Sequence, residues 1–152
     1  MAAEYVALGL QSIALNSPVN FVSTVPCNRG WVVHDDGSGV FILRGMTVNQ
    51  RFATYQVTFN GNIAIPEGGE VGPIAVALTV NGEPRSTSRA IYTPAAEHEY
   101  GNVTSTAIIR VPSGCCFSIS VEYVSGVTND PTATPAPVIN VIDGNLTISR
   151  IA

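Results

Sequence analysis

Two histidines in this 152-residue chain stand beside carboxylates: His34 precedes Asp35 and Asp36, and His98 lies between Glu97 and Glu99. Such neighbours are the raw material of an acid–base pair or a cation site. Their spacing argues against that chemistry. Consecutive residues of an extended chain point to opposite faces, and Asp35-Asp36-Gly37-Ser38-Gly39 has the composition of a turn. Glu97-His98-Glu99 reads as a solvated loop, with cation binding at a boundary between copies as the alternative. No Ser-His-Asp arrangement can be built from two histidines on turn-like segments. The three cysteines, Cys27, Cys115 and Cys116, fit neither a disulfide framework nor a metal spacing. The adjacent pair is a redox couple, a vicinal disulfide, or one core thiol and one interface thiol; diverging side chains favour the last. An odd count suits a reducing compartment. Trp31 is a stacking platform for a sugar or, beside Val32 and Val33, a core residue. The sequons at Asn102 and Asn145 matter only in a secreted chain. No catalytic, cofactor-binding or metal site is expected, and the chain reads as a non-enzyme.

Composition limits the partners. Apolar residues make up 45% and charged residues 12%, the latter about half the usual fraction. All seven basic residues are arginine, they are scattered, and net charge is −4, which disfavours nucleic acid. Residues 5–15 are apolar but are broken by Gln11-Ser12 and preceded by Glu4, unlike a signal peptide. No run approaches the roughly 20 apolar residues that span a bilayer. One domain over residues 1–152 is expected, burying about 70% of its unfolded surface.

The elements that must position these residues are strands. From Val103 the odd positions run Val103, Ser105, Ala107, Ile109, Val111 and then, past Pro112-Ser113-Gly114, Cys115, Phe117, Ile119, Val121 and Tyr123. This period of two gives two strands, and the short punctuation between them predicts an antiparallel hairpin over 102–124. Residues 51–65 place Tyr55, Val57, Phe59, Ile63 and Ile65 on one face and Thr54, Gln56, Thr58, Asn60 and Asn62 on a solvated one, with Gly61 marking a bulge or close approach. Residues 74–80 return through Asn81-Gly82, a strong hairpin turn, into a polar strand over 83–93. A first strand is expected near 10–15, a hairpin pairs 30–34 with 40–44, and a last hairpin spans 138–142 and 145–151 across Asp143-Gly144. Residues 125–137 read as a long surface loop. With no amphipathic helix, the total is about nine or ten antiparallel strands, an all-β two-sheet jelly-roll sandwich.

Small side chains recur on the second faces of three strands: Ala75, Ala77 and Thr79, then Cys116, Ser118 and Ser120, then Thr147 and Ser149. They predict either a face closely packed against other chains or an exposed polar face. On the first reading Ala75, Ala77, Cys116, Ser118, Ser120 and Ser149 lie near an interface between copies.

Further blocks carry a resemblance. Residues 55–59 (YQVTF), 61–78 (GNIAIPEGGEVGPIAVAL), 81–84 (NGEP), 93–103 (TPAAEHEYGNV), 111–116 (VPSGCC) and 145–152 (NLTISRIA), with 37–45 (GSGVFILRG) and the opening EYV, resemble small proteins of phages and prophages of gut-associated Gram-positive bacteria, encoded near the major capsid protein. The loop at 125–137 is longer than in that family. The resemblance implies a jelly roll similar to the tumour-necrosis-factor (TNF-like) and complement-type domains, a homotrimer, and a structural virion protein that decorates or projects from the capsid exterior after assembly in the bacterial host cytoplasm. Its partners would be itself and the phage major capsid protein or another head protein, docked through one end, with residues 1–5 a candidate. The alternative is a trimeric module that binds a host-surface glycan. No cofactor, nucleic acid or membrane partner is implied.

Overall fold

The computed structural model describes residues 2–27, 30–124 and 135–152. Its strands are β1 (Ala2–Ala7), β2 (Gln11–Ala14), β3 (Val22–Val25), β4 (Val32–Val33), β5 (Phe41–Arg44), β6 (Phe52–Ala64), β7 (Ile74–Val80), β8 (Glu83–Pro84), β9 (Ala90–Tyr92), β10 (Gly101–Pro112), β11 (Cys116–Val124) and β12 (Val138–Arg150), with one 3-10 turn at Ser86–Ser88. No α-helix occurs among the described residues, so no helix there is long and apolar enough to cross a membrane. The first sheet runs β10-β6-β12-β1-β3, with β2 also on β12; the second runs β4-β5-β11-β7-β8, with β9 also on β7. All pairings are antiparallel. The two-sheet jelly roll is thus as the alternation requires, with twelve strands among the described residues.

The sheets face each other across one apolar core. Tyr55, Val57, Phe59, Ile63, Leu146 and Ile148 enter from the first, and Phe41, Leu43, Ile74, Leu78, Ile119, Val121 and Tyr123 from the second. Fully burying such a side chain stabilises the fold by about 1.5–3 kcal/mol. β6 keeps the expected alternation along its length. Gly61 marks a close approach: a Cβ there would lie 2.7 Å from the Phe59 ring and 3.3 Å from the Gly144 Cα.

Four local expectations are corrected. The 102–124 segment is no hairpin, because β10 pairs with β6 in one sheet and β11 pairs with β5 and β7 in the other. The 112–115 turn carries the chain between sheets, and it is pinned by Ser113 N to Arg51 O at 2.8 Å, Gly114 N to Gly45 O at 2.9 Å and Gly45 N to Cys115 O at 2.8 Å. Residues 138–150 form one strand rather than two. Asp143, at φ 56°, makes a bulge where the register with β6 shifts between Ile142 and Asn145. A strand precedes the first one expected: Ala2–Ala7 lies between β12 and β3 with Ala3, Tyr5 and Ala7 buried. Residues 2–5 are therefore built into a sheet. The strand returning from Asn81-Gly82 is interrupted, since Ser88 turns inward and its hydroxyl bonds the Leu78 backbone at N and O. The Asn81-Gly82 turn itself has both residues at positive φ, 52° and 83°. The loop read at 125–137 lies outside the described residues over 125–134.

Two outcomes follow. Gly61→Ala should lower unfolding free energy by about 1–3 kcal/mol, the usual range for overpacking a filled core, measured by urea denaturation. Alkali should unfold the protein cooperatively. Burial, with Cys27 and Asp36 adding, pushes the Tyr5 phenol up to about 12, and burial likewise raises Tyr55 and Tyr123. The unfolded chain then loses these protons first, so stability is full below about pH 10 and falls as pH rises through the folded values. Phenolate absorbance from these three tyrosines should appear only with loss of β-sheet circular dichroism.

Candidate functional site

The residues singled out for chemistry are dispersed. His34 stacks on Phe41 with centroids 4.1 Å apart and meets Tyr5 edge-on at 4.9 Å. Its Nε2 is 2.8 Å from the Ser38 carbonyl oxygen, which can only accept, so Nε2 carries the proton. Asp36 is used elsewhere, its Oδ1 accepting from Ser23 N at 2.9 Å. His98 is exposed in its loop, with its backbone N–H donating to Ile65 O at 2.9 Å. Among the described residues no three His, Cys, Asp or Glu side chains come together as metal ligands.

Cys115 and Cys116 are both exposed free thiols, and Cys27 is half-buried. Cys115 is thus not a core thiol, because it stays in the turn ahead of β11, which begins at Cys116. Cys116 is fixed in the ladder opposite Arg44. Trp31 is half-buried, and the Arg150 guanidinium lies over its ring at 4.5 Å. That contact occupies a stacking face that a sugar would use.

The six small residues do not share one surface. Ala75 and Ala77 are 0% exposed and pack with Val124 within the single chain; Ser120 is 6% exposed. The Ser120 hydroxyl is hydrogen-bonded to that of Thr79, and Glu122, whose carboxyl burial raises above the usual range, accepts from Ser120 at 3.4 Å. Ile74–Thr79 is buried on both faces, so small size there serves packing inside the protomer. Cys116 and Ser118 remain at the surface of the second sheet, and Ser149 lies in the first sheet.

A different surface stands out on that first sheet. Opposite the core, β12, β6 and β10 align Asn145, Asn60 and Thr104 in one row, Thr147, Thr58 and Thr106 in the next, and Ser149, Gln56 and Ile108 in a third. No charged residue interrupts these rows. Glu4 borders them on β1, and Arg110 stands at one end over the Phe52 ring at 4.1 Å. The side chains satisfy one another: Thr58 with Thr106 at 3.0 Å, Thr104 donating to Asn60 at 3.2 Å, Asn102 donating to Asn62 at 3.2 Å. Paired polar groups are cheaper to bury than free ones.

A third feature is an open groove of about 850 Å³ at the end where the 112–115 turn lies. Trp31, Met46, Val48, Gln50, Arg150 and Ile151 line it. Sequence reasoning missed both surfaces. The signal for Arg150 was available, since it continues the inward parity of Leu146 and Ile148.

No family model matches this chain, and no curated protein does. Solved structures do. The chain is similar to the globular domain of zebrafish complement 1qA, with TM-score 0.65 and 12% identity over 99% of this chain and 97% of that one. It is also similar to Eiger TNF from S. frugiperda, with TM-score 0.66 and 10% identity over 100% and 92%, and to murine APRIL, with TM-score 0.57 and 10% identity over 99% and 98%. The fold is therefore a jelly roll of the C1q and TNF type, the class expected.

Thiol reagent applied to the native protein should modify two cysteines, Cys115 and Cys116, faster than Cys27. Peptide mapping after a short pulse would check this, and preferential labelling of Cys27 would contradict the placement.

Proposed function

We propose that this protein is a non-catalytic homotrimer that decorates or projects from the exterior of a bacteriophage capsid. Self-association is supported by the three uncharged, internally hydrogen-bonded rows across β12, β6 and β10 on a C1q/TNF-type jelly roll, and those rows are the observation that carries the proposal. On a chain of net charge −4, three adjacent rows of uncharged, mutually paired side chains, bordered by Glu4 and Arg110, form a surface that is cheap to dehydrate against another copy. The apolar Ile108 and the small Ser149 belong to it, whereas Ala75, Ala77 and Ser120 have little or no surface to offer. The capsid role and the virion location rest on the sequence resemblance. Three linked copies would bind a shell more tightly than one by raising effective concentration. The host-glycan reading loses support because Arg150 covers a face of Trp31.

Sedimentation equilibrium at micromolar concentration should give about three times the 15.9 kDa chain mass. Thr58→Glu should shift it to monomer without loss of folded circular dichroism, whereas Ser118→Glu should leave the trimer intact. A wild-type monomer would sink self-association. For the capsid role, particles lacking the protein should lose resistance to heat or low salt; unchanged particles with impaired host adsorption would favour the glycan reading.

A further inference from the structure

We propose that the end of the sandwich around Trp31 and Arg150 binds an acidic segment of a partner protein that carries apolar anchor side chains. The basis is the uneven placement of charge. Arg44 ends β5, Arg51 precedes β6, Arg110 lies near the end of β10, and Arg150 ends β12. All four lie toward the end where Pro112 pairs with Phe52. Glu67, Glu70, Glu97 and Glu99 lie in the loops at the other end, beyond the pairing of Gly101 with Ile63. Eleven residue steps of strand separate those two pairings, about 36 Å.

Backbone oxygens and a ring meet three of these arginines. Arg44 Nη1 donates to Gly30 O at 3.4 Å, Arg150 Nε donates to Ala152 O at 3.1 Å, and Arg110 lies over Phe52. Arg150 is the most constrained. Its inward position brings the guanidinium over Trp31 at 4.5 Å and toward the Tyr55 ring at 5.9 Å.

The groove also exposes apolar surface. Val48 is 83% exposed, Ile151 52% and Met46 42%. These flank the same opening as Arg150, so the occupant must combine negative charge with apolar side chains. A sulfated glycan or nucleic acid would meet the arginines and leave Val48 and Ile151 wet. A basic segment would be repelled. The inference does not rest on the trimer or on the capsid, since every residue in it belongs to one chain.

Trp31 is the sole tryptophan and reports on the site directly. The intact protein is titrated with a dye-labelled peptide of alternating Glu and Leu, following anisotropy and Trp31 emission, with a Lys-Leu peptide and dextran sulfate as comparisons. The Glu-Leu peptide should bind saturably and shift the emission. Val48→Ser and, separately, Arg51→Gln with Arg150→Met should each weaken it tenfold or more, while Glu97→Gln with Glu99→Gln should not. A thermal melt of each variant confirms folding, and Val48→Ser alone, at an exposed site, is decisive if Arg150→Met unfolds. Absence of saturable binding, or equal binding of dextran sulfate with no effect of Val48→Ser, would overturn the proposal. So would growth of the protein's own mass at low salt that Glu97→Gln with Glu99→Gln abolishes, which would make a second copy the occupant.

Discussion

The sandwich depends on two chain segments that cross between sheets at the same end and hold each other by their backbones. Residues 45–51 leave β5 for β6, and residues 112–115 leave β10 for β11. Hydrogen bonds join Gly45 to Cys115 and Gly114, and Arg51 to Ser113. The contact is so close that a Cβ on Gly45 would stand 2.0 Å from the Pro112 carbonyl oxygen. These crossings place both sheets over one core. They also set the floor of the groove, whose lining includes Gly45, Ser113 and Gly114.

The same constraint explains what could be read in advance and what could not. Alternation in β6 gave its core face, and Asn81-Gly82 gave its turn, because both signals are local. The Pro112-Ser113-Gly114 punctuation is equally local, yet it serves a hairpin or a crossing alike. What decides between them is Gly45 and Arg51, more than 60 residues away. Asp143-Gly144 has turn composition, but β12 is flanked on both sides, by β6 and by β1 and β2, so the segment stays extended and absorbs the extra residues as a bulge. β1 escaped notice because two of its three buried residues are alanine.

Site reading met a similar ambiguity. Small residues permit close approach whether the neighbour is another chain or the same one. At Ala75 and Ala77 it is the same chain. The uncharged Thr, Asn and Gln positions of β6 looked solvated when taken one strand at a time. Only the registers with β10 and β12 turn them into a continuous field. The groove is likewise nonlocal, since Trp31, Val48 and Arg150 come from three separate parts of the chain.

The placement of Arg44, Arg51, Arg110 and Arg150 opposite Glu67, Glu70, Glu97 and Glu99 has a kinetic meaning that net charge conceals. A chain of net charge −4 should be repelled on average by an acidic surface. With four arginines toward one end and four glutamates in the loops of the other, such a surface exerts a torque before contact and turns the arginine end forward. Encounters then arrive pre-aligned along the long axis of the strands, which raises the productive fraction of collisions at low ionic strength and fades once the screening length drops well below the roughly 36 Å between the ends.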